Sequence, residues 1–119
     1  MALVTIAAVV LMAQGATAPD VAYRDLLAQK NGAAIERIET NDRLESDDPA
    51  RLINLGIAHA REGHEEEARA MFRAVARSES TVRLELAGGE WVDSGDLARR
   101  ALRLLDSGAF APAGRMTMR

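Results

Sequence analysis

Antiparallel pairs of α-helices, closed at the C-terminal end by a short β-hairpin and a capping helix, make the mainly α fold that this sequence predicts. Three observations predict it. Apolar residues recur every three to four positions across residues 20–78, the period of one helix face. Val82, Leu84 and Leu86 then alternate with Arg83 and Glu85, the two-residue period of a strand. Helical spacing returns in Leu97, Ala98, Ala101, Leu102 and Leu105. With 119 residues, 48% apolar and 28% charged, the chain suits one small core and is too apolar for disorder.

Each element has a local reason. Residues 2–12 are free of charge and apolar but for Thr5, and Gln14, Gly15 and the small-x-small triplet Ala16-Thr17-Ala18 follow. This is the form of an export signal, so residues 1–18 are expected to be a signal peptide cleaved after Gly15 or Ala18. A run of eleven residues is too short for a membrane span, which needs about 20. The competing reading is a buried N-terminal helix. The expected location is export to a bacterial-type periplasm or cell envelope, with no stable membrane span once the signal is removed.

Residues 20–29 carry Val21, Leu26 and Leu27 and stop at Lys30-Asn31-Gly32, a helix-ending run. Residues 33–44 carry Ala34, Ile35, Ile38 and Leu44 at helical spacing. Asp47-Asp48-Pro49 predicts a sharp start for a third helix over 49–62, because Asp48 can cap free amides and Pro49 fits the first helical position. Gly63 breaks it. Glu65-Glu66-Glu67 then suits the positive end of a fourth helix reaching about residue 78. Ala87-Gly88-Gly89-Glu90 is the expected turn of the hairpin, and Asp93-Ser94 the cap of the last helix, which ends at Ser107-Gly108. Residues 109–119 carry no periodic signal and are expected to be a flexible tail.

Over residues 49–80 the chain resembles a tetratricopeptide repeat. The residues that carry the resemblance are Leu52, Leu55-Gly56, His59, Gly63, Ala68, Phe72 and Val75. Gly56 and Ala68 are small where two helices cross closely, and Leu55 and Phe72 fill the flanks of that crossing. Leu52, His59, Val75 and Ser80 depart from the family's usual Trp, Tyr, Ala and Pro. One period of 34 residues upstream, Val21, Ala22, Ala34 and Ile38 fall in register with Leu55, Gly56, Ala68 and Phe72, a degenerate first repeat. The expected organisation is therefore a helical-repeat region over 19–80 and a hairpin with capping helix over 81–108.

The resemblance implies a protein-binding module, because the first helix of each such repeat lines a groove for a peptide or partner helix. Here those positions are Ala50, Ile53, Asn54, Ile57, Ala60 and Arg61. The competing expectation is that neighbouring segments cover them. A net charge of −3, with no block of Lys or Arg, argues against nucleic acid. The absence of Cys removes thiol catalysis and zinc-thiolate sites. His59 and His64 lie five apart across Gly63 and so do not share one helical face as an H-E-x-x-H zinc site requires. A packing His59 and a solvated Glu run are the expectation, with no metal and no cofactor. Asp93, Ser94 and Asp96 read as a cap rather than a catalytic group, and Trp91 is expected to seal the core. A non-catalytic interaction or scaffolding module is the leading reading. A small metal-dependent hydrolytic enzyme using His59 and His64, and a self-associating homo-oligomeric structural protein, are the alternatives.

Overall fold

The computed structural model describes residues 21–110 and, further upstream, the backbone of the two-residue strand β1, Val10–Leu11. The remainder of the expected signal peptide, and all but Ala109 and Phe110 of the expected tail, lie outside the described residues. The described elements that follow β1 are helices α1 (Tyr23–Leu27), α2 (Asn31–Glu39), α3 (Pro49–Arg61) and α4 (Glu65–Arg77), strands β2 (Arg83–Leu86) and β3 (Trp91–Asp93), and helix α5 (Ser94–Asp106). The fold is mainly helical, as the periodicities predict. No helix among the described residues is long and apolar enough to cross a membrane.

Capping chemistry sets the best-predicted boundaries. The Asp48 carboxylate accepts from the Arg51 amide at 2.9 Å, with Pro49 in the first turn of α3. The Asp93 carboxylate accepts from the Asp96 amide at 3.1 Å and starts α5 in the same way. At the other end of α3, Gly63 takes φ 85°, which places the Gly63 amide on the Ala60 carbonyl at 3.1 Å and the His64 amide on the His59 carbonyl at 2.8 Å. This pair of bonds is a Schellman motif. Gly108, at φ 78°, ends α5 with the equivalent pair, from Gly108 to Leu105 and from Ala109 to Leu104.

The first two helices depart from expectation. Helix α1 stops at Leu27, before Lys30, because Gln29 adopts φ 62° and donates to the Leu26 carbonyl while Lys30 donates to Asp25. A left-handed residue without glycine gives no composition signal. Asn31 and Gly32, expected to break the chain, instead open α2. Helix α2 ends at Glu39 and not at Leu44, because the Asn41 side chain accepts from the Arg43 amide and turns the backbone. Leu44 is still buried, from a turn.

Helices α3 and α4 form a helical hairpin that crosses at Gly56, where an added Cβ would stand 2.6 Å from Phe72 Cε1. Helix α3 packs against α1, α2, α4, α5 and β1, and α5 packs along α4. Phe110, just past the second Schellman turn, lies buried and stacked on Phe72 with ring centroids 6.2 Å apart. The expected tail thus begins inside the core, returned there by Gly108. The sheet is antiparallel, in the order β1-β2-β3, with Leu84 opposite Val92, Glu85 opposite Trp91 and Leu11 opposite Glu85. Leu84, Leu86 and Val92 face inward and are buried, so the alternation in the sequence matches the two faces.

A methyl group at position 56 must displace the buried Phe72 ring. Gly56→Ala is expected to lower unfolding free energy in urea by about 1–3 kcal/mol, the usual range for overpacking, despite the better helix propensity of Ala.

Candidate functional site

The six positions implied by the repeat resemblance do not form an open groove. Ala50, Ile53, Asn54 and Ile57 are fully buried, Ala60 is nearly so, and Arg61 is partly buried. The covering is specific. The Asn54 amide Nδ2 donates to the Val21 carbonyl at 3.1 Å, and Arg61 Nη1 donates to the Leu26 carbonyl at 2.9 Å. These two bonds fasten the segment around α1 onto α3, with Asn31 Oδ1 also within 3.4 Å of Arg61. The polar groups expected to meet a ligand are turned to the chain's own backbone, and Ile53 and Ile57 belong to the core.

Trp91 also departs from expectation. It is 45% exposed and does not seal the core, because it shares a strand with the inward-facing Val92 and so points to the opposite face. Strand β3 ends the sheet. The Leu86 amide donates to the Glu90 carbonyl and the Ser94 amide to Val82, both at 2.8 Å. Residues 90 and 94 therefore turn their backbone toward β2, and by antiparallel alternation Trp91 turns its N–H and C=O away from it. Ser94 is fully buried, its hydroxyl accepting from the Val82 amide at 3.0 Å. The Asp93-Ser94-Asp96 run is accounted for by these capping and strand-end bonds. The amide of Asp96 is the main cause that holds the Asp93 carboxyl below its ordinary pKa.

The two histidines come together. His59 Nδ1 and His64 Nδ1 are 2.9 Å apart, with ring centroids at 5.1 Å. Helical-face reasoning missed this contact because His59 and His64 occupy the two positions that a Schellman motif joins, three residues before the cap and two after it. An apolar contact commonly bridges those positions, and here two imidazoles replace it. The sequence signal was present as His-x-x-x-Gly-His ending an apolar helix. Across the His59 ring, Nε2 lies 3.9 Å from Glu39 Oε2, an ion-pair distance too long for a hydrogen bond. One imidazole donates and the other accepts between the two Nδ1 atoms, according to their tautomers. Burial first, and His64 second, push the His59 imidazole below its usual pKa, while Glu39, Glu67 and Glu62 oppose the shift. Among the described residues, no three His, Asp or Glu side chains form a group that could hold a metal ion.

No protein-family model matches the chain, and neither does any curated protein or solved structure.

Two outcomes follow from this geometry. Ile53→Ala is expected to cost about 2–5 kcal/mol of stability, the range for a buried Ile, measured by urea denaturation; a neutral effect would return Ile53 to the surface. The second outcome concerns pH. In the folded state His59 takes its proton at lower pH than in the unfolded chain, where imidazole titrates near 6.5. The unfolded state holds more protons in that window, so the His59 contribution is complete above about pH 6.5 and is lost as pH falls through the folded value. The urea midpoint should fall between about pH 7.5 and pH 5, and His59→Gln should flatten that part of the profile.

Proposed function

We propose that this chain is a non-catalytic interaction module of tetratricopeptide type, acting in the periplasm or cell envelope, whose contact surface is the outer face of the hairpin. The single observation that carries the contact surface is Trp91, exposed on the end strand of the sheet with its backbone turned outward. An extended segment of a partner protein fits this arrangement. Its main chain would pair with the free side of β3, and an apolar side chain would rest against the indole. Helix α3 serves as the interior of the module, and the binding role moves from its face to the sheet.

The repeat reading is supported by the α3–α4 hairpin with its close crossing at Gly56 and by the stacking of α5 on α4. The export reading is supported by the uncharged, mostly apolar residues 2–12 and the small-x-small triplet at 16–18. Mass spectrometry of the N-terminus, together with the cellular fraction, tests the location; a cytoplasmic protein with an intact N-terminus would overturn it.

For the contact surface, Trp91→Ala is expected to leave the urea midpoint within the small range of surface substitutions, about ±0.5 kcal/mol, while abolishing capture of a partner from envelope extract. A partner retained equally by both forms would place binding elsewhere.

A further inference from the structure

We propose that His59 and His64 form a two-imidazole site for a divalent first-row transition-metal ion, favouring copper(II) and nickel(II) over zinc. The site stands at the turn between α3 and α4 and does not depend on the proposed Trp91 surface. The backbone brings both residues to one turn. His59 and His64 are tied by the amide-to-carbonyl bond of the Schellman motif, and their Nδ1 atoms face each other at 2.9 Å. An ion placed about 2.05 Å from each nitrogen would see them at an angle of about 90°. That is the angle between neighbouring positions of a square-planar or octahedral ion, the geometry of copper(II) and nickel(II) with nitrogen and oxygen donors. Tetrahedral zinc would need the two nitrogens to spread to about 3.3 Å.

The surroundings favour a cation in that position. Glu39 lies on the far nitrogen of His59, in the place where a carboxylate commonly orients a metal-binding imidazole. Glu62 and Glu67 add negative potential at the same ring. Among the described residues no third His, Asp or Glu side chain completes the group, so water fills the ion's remaining positions. The chain has no Cys, so no thiolate competes for a soft ion.

The test titrates copper(II), nickel(II) and zinc sulfates into the full chain, following heat and, for copper, the nitrogen hyperfine pattern in electron paramagnetic resonance. The expected result is one copper(II) per chain with two imidazole nitrogens, and nickel(II) bound more tightly than zinc. His64→Gln, at an exposed position, should keep the circular dichroism of the parent, weaken copper at least tenfold and leave one nitrogen. Glu39→Gln should weaken it about tenfold, within the range for outer-shell partners. Copper binding unchanged in His64→Gln, or zinc bound more tightly than nickel, would overturn the proposal.

Discussion

The crossing of α3 over α4 at Gly56 is the contact that the remaining packing requires. Gly in a helix interior costs about 1 kcal/mol relative to Ala. Burial of a Phe side chain contributes about 1.5–3 kcal/mol, so the close approach of Phe72 is favourable on balance. The same ring then supports Phe110, and a stacked aromatic pair adds about 0.5–1.5 kcal/mol beyond its buried area. A wider crossing would displace α4, and with it α5 and the chain end that Phe110 anchors. One absent methyl group thus couples the hairpin of helices to an element fifty residues further along.

Helix α1 depends on α3 in a different way. Its two ends are conformationally costly: Ala22 has φ 65° and Gln29 has φ 62°, and a residue with a Cβ pays about 1–2 kcal/mol in that region. Five residues cannot supply that from their own hydrogen bonds. The offset comes from outside the helix. Asn54 bonds the Val21 carbonyl at one end, Arg61 bonds the Leu26 carbonyl at the other, and a bond from a charged donor is worth about 1.5–3 kcal/mol. Val21, Ala22 and Leu26 are buried at the same time. The polar residues of α3 are therefore part of the fold's construction.

This explains what the sequence could and could not convey. Helices α3, α4 and α5 and the hairpin were legible because their ends carry chemistry with a fixed meaning: Asp48-Pro49, Gly63, Asp93 and Gly108. The ends of α1 and α2 were not, since Gln29 does the work of a glycine and Gly32 does none. Asn54 and Arg61 were expected to be ligand contacts because the repeat resemblance puts them on a groove face; a polar side chain there has two outlets, solvent and the chain itself, and only the three-dimensional path of residues 21–31 decides between them. Trp91 was misjudged for a related reason. Its indole follows strand alternation, and its size pulled the expectation inward. The His59–His64 contact was hidden because a shared helical face was the only route to contact considered, whereas the turn between them is what joins them.

The pairing of β1 with β2 has a consequence in time. Leu11 meets Glu85 across about 75 residues of chain, and synthesis proceeds at about 5–20 residues per second. The apolar N-terminal strand therefore emerges about 4–15 s before the strand it pairs with exists. During that interval its backbone has no ladder to join, and any machinery that recognises an extended apolar segment competes only with solvent. The three-stranded sheet is therefore closed only late in synthesis, once β2 and β3 have followed the four helices that separate them from β1.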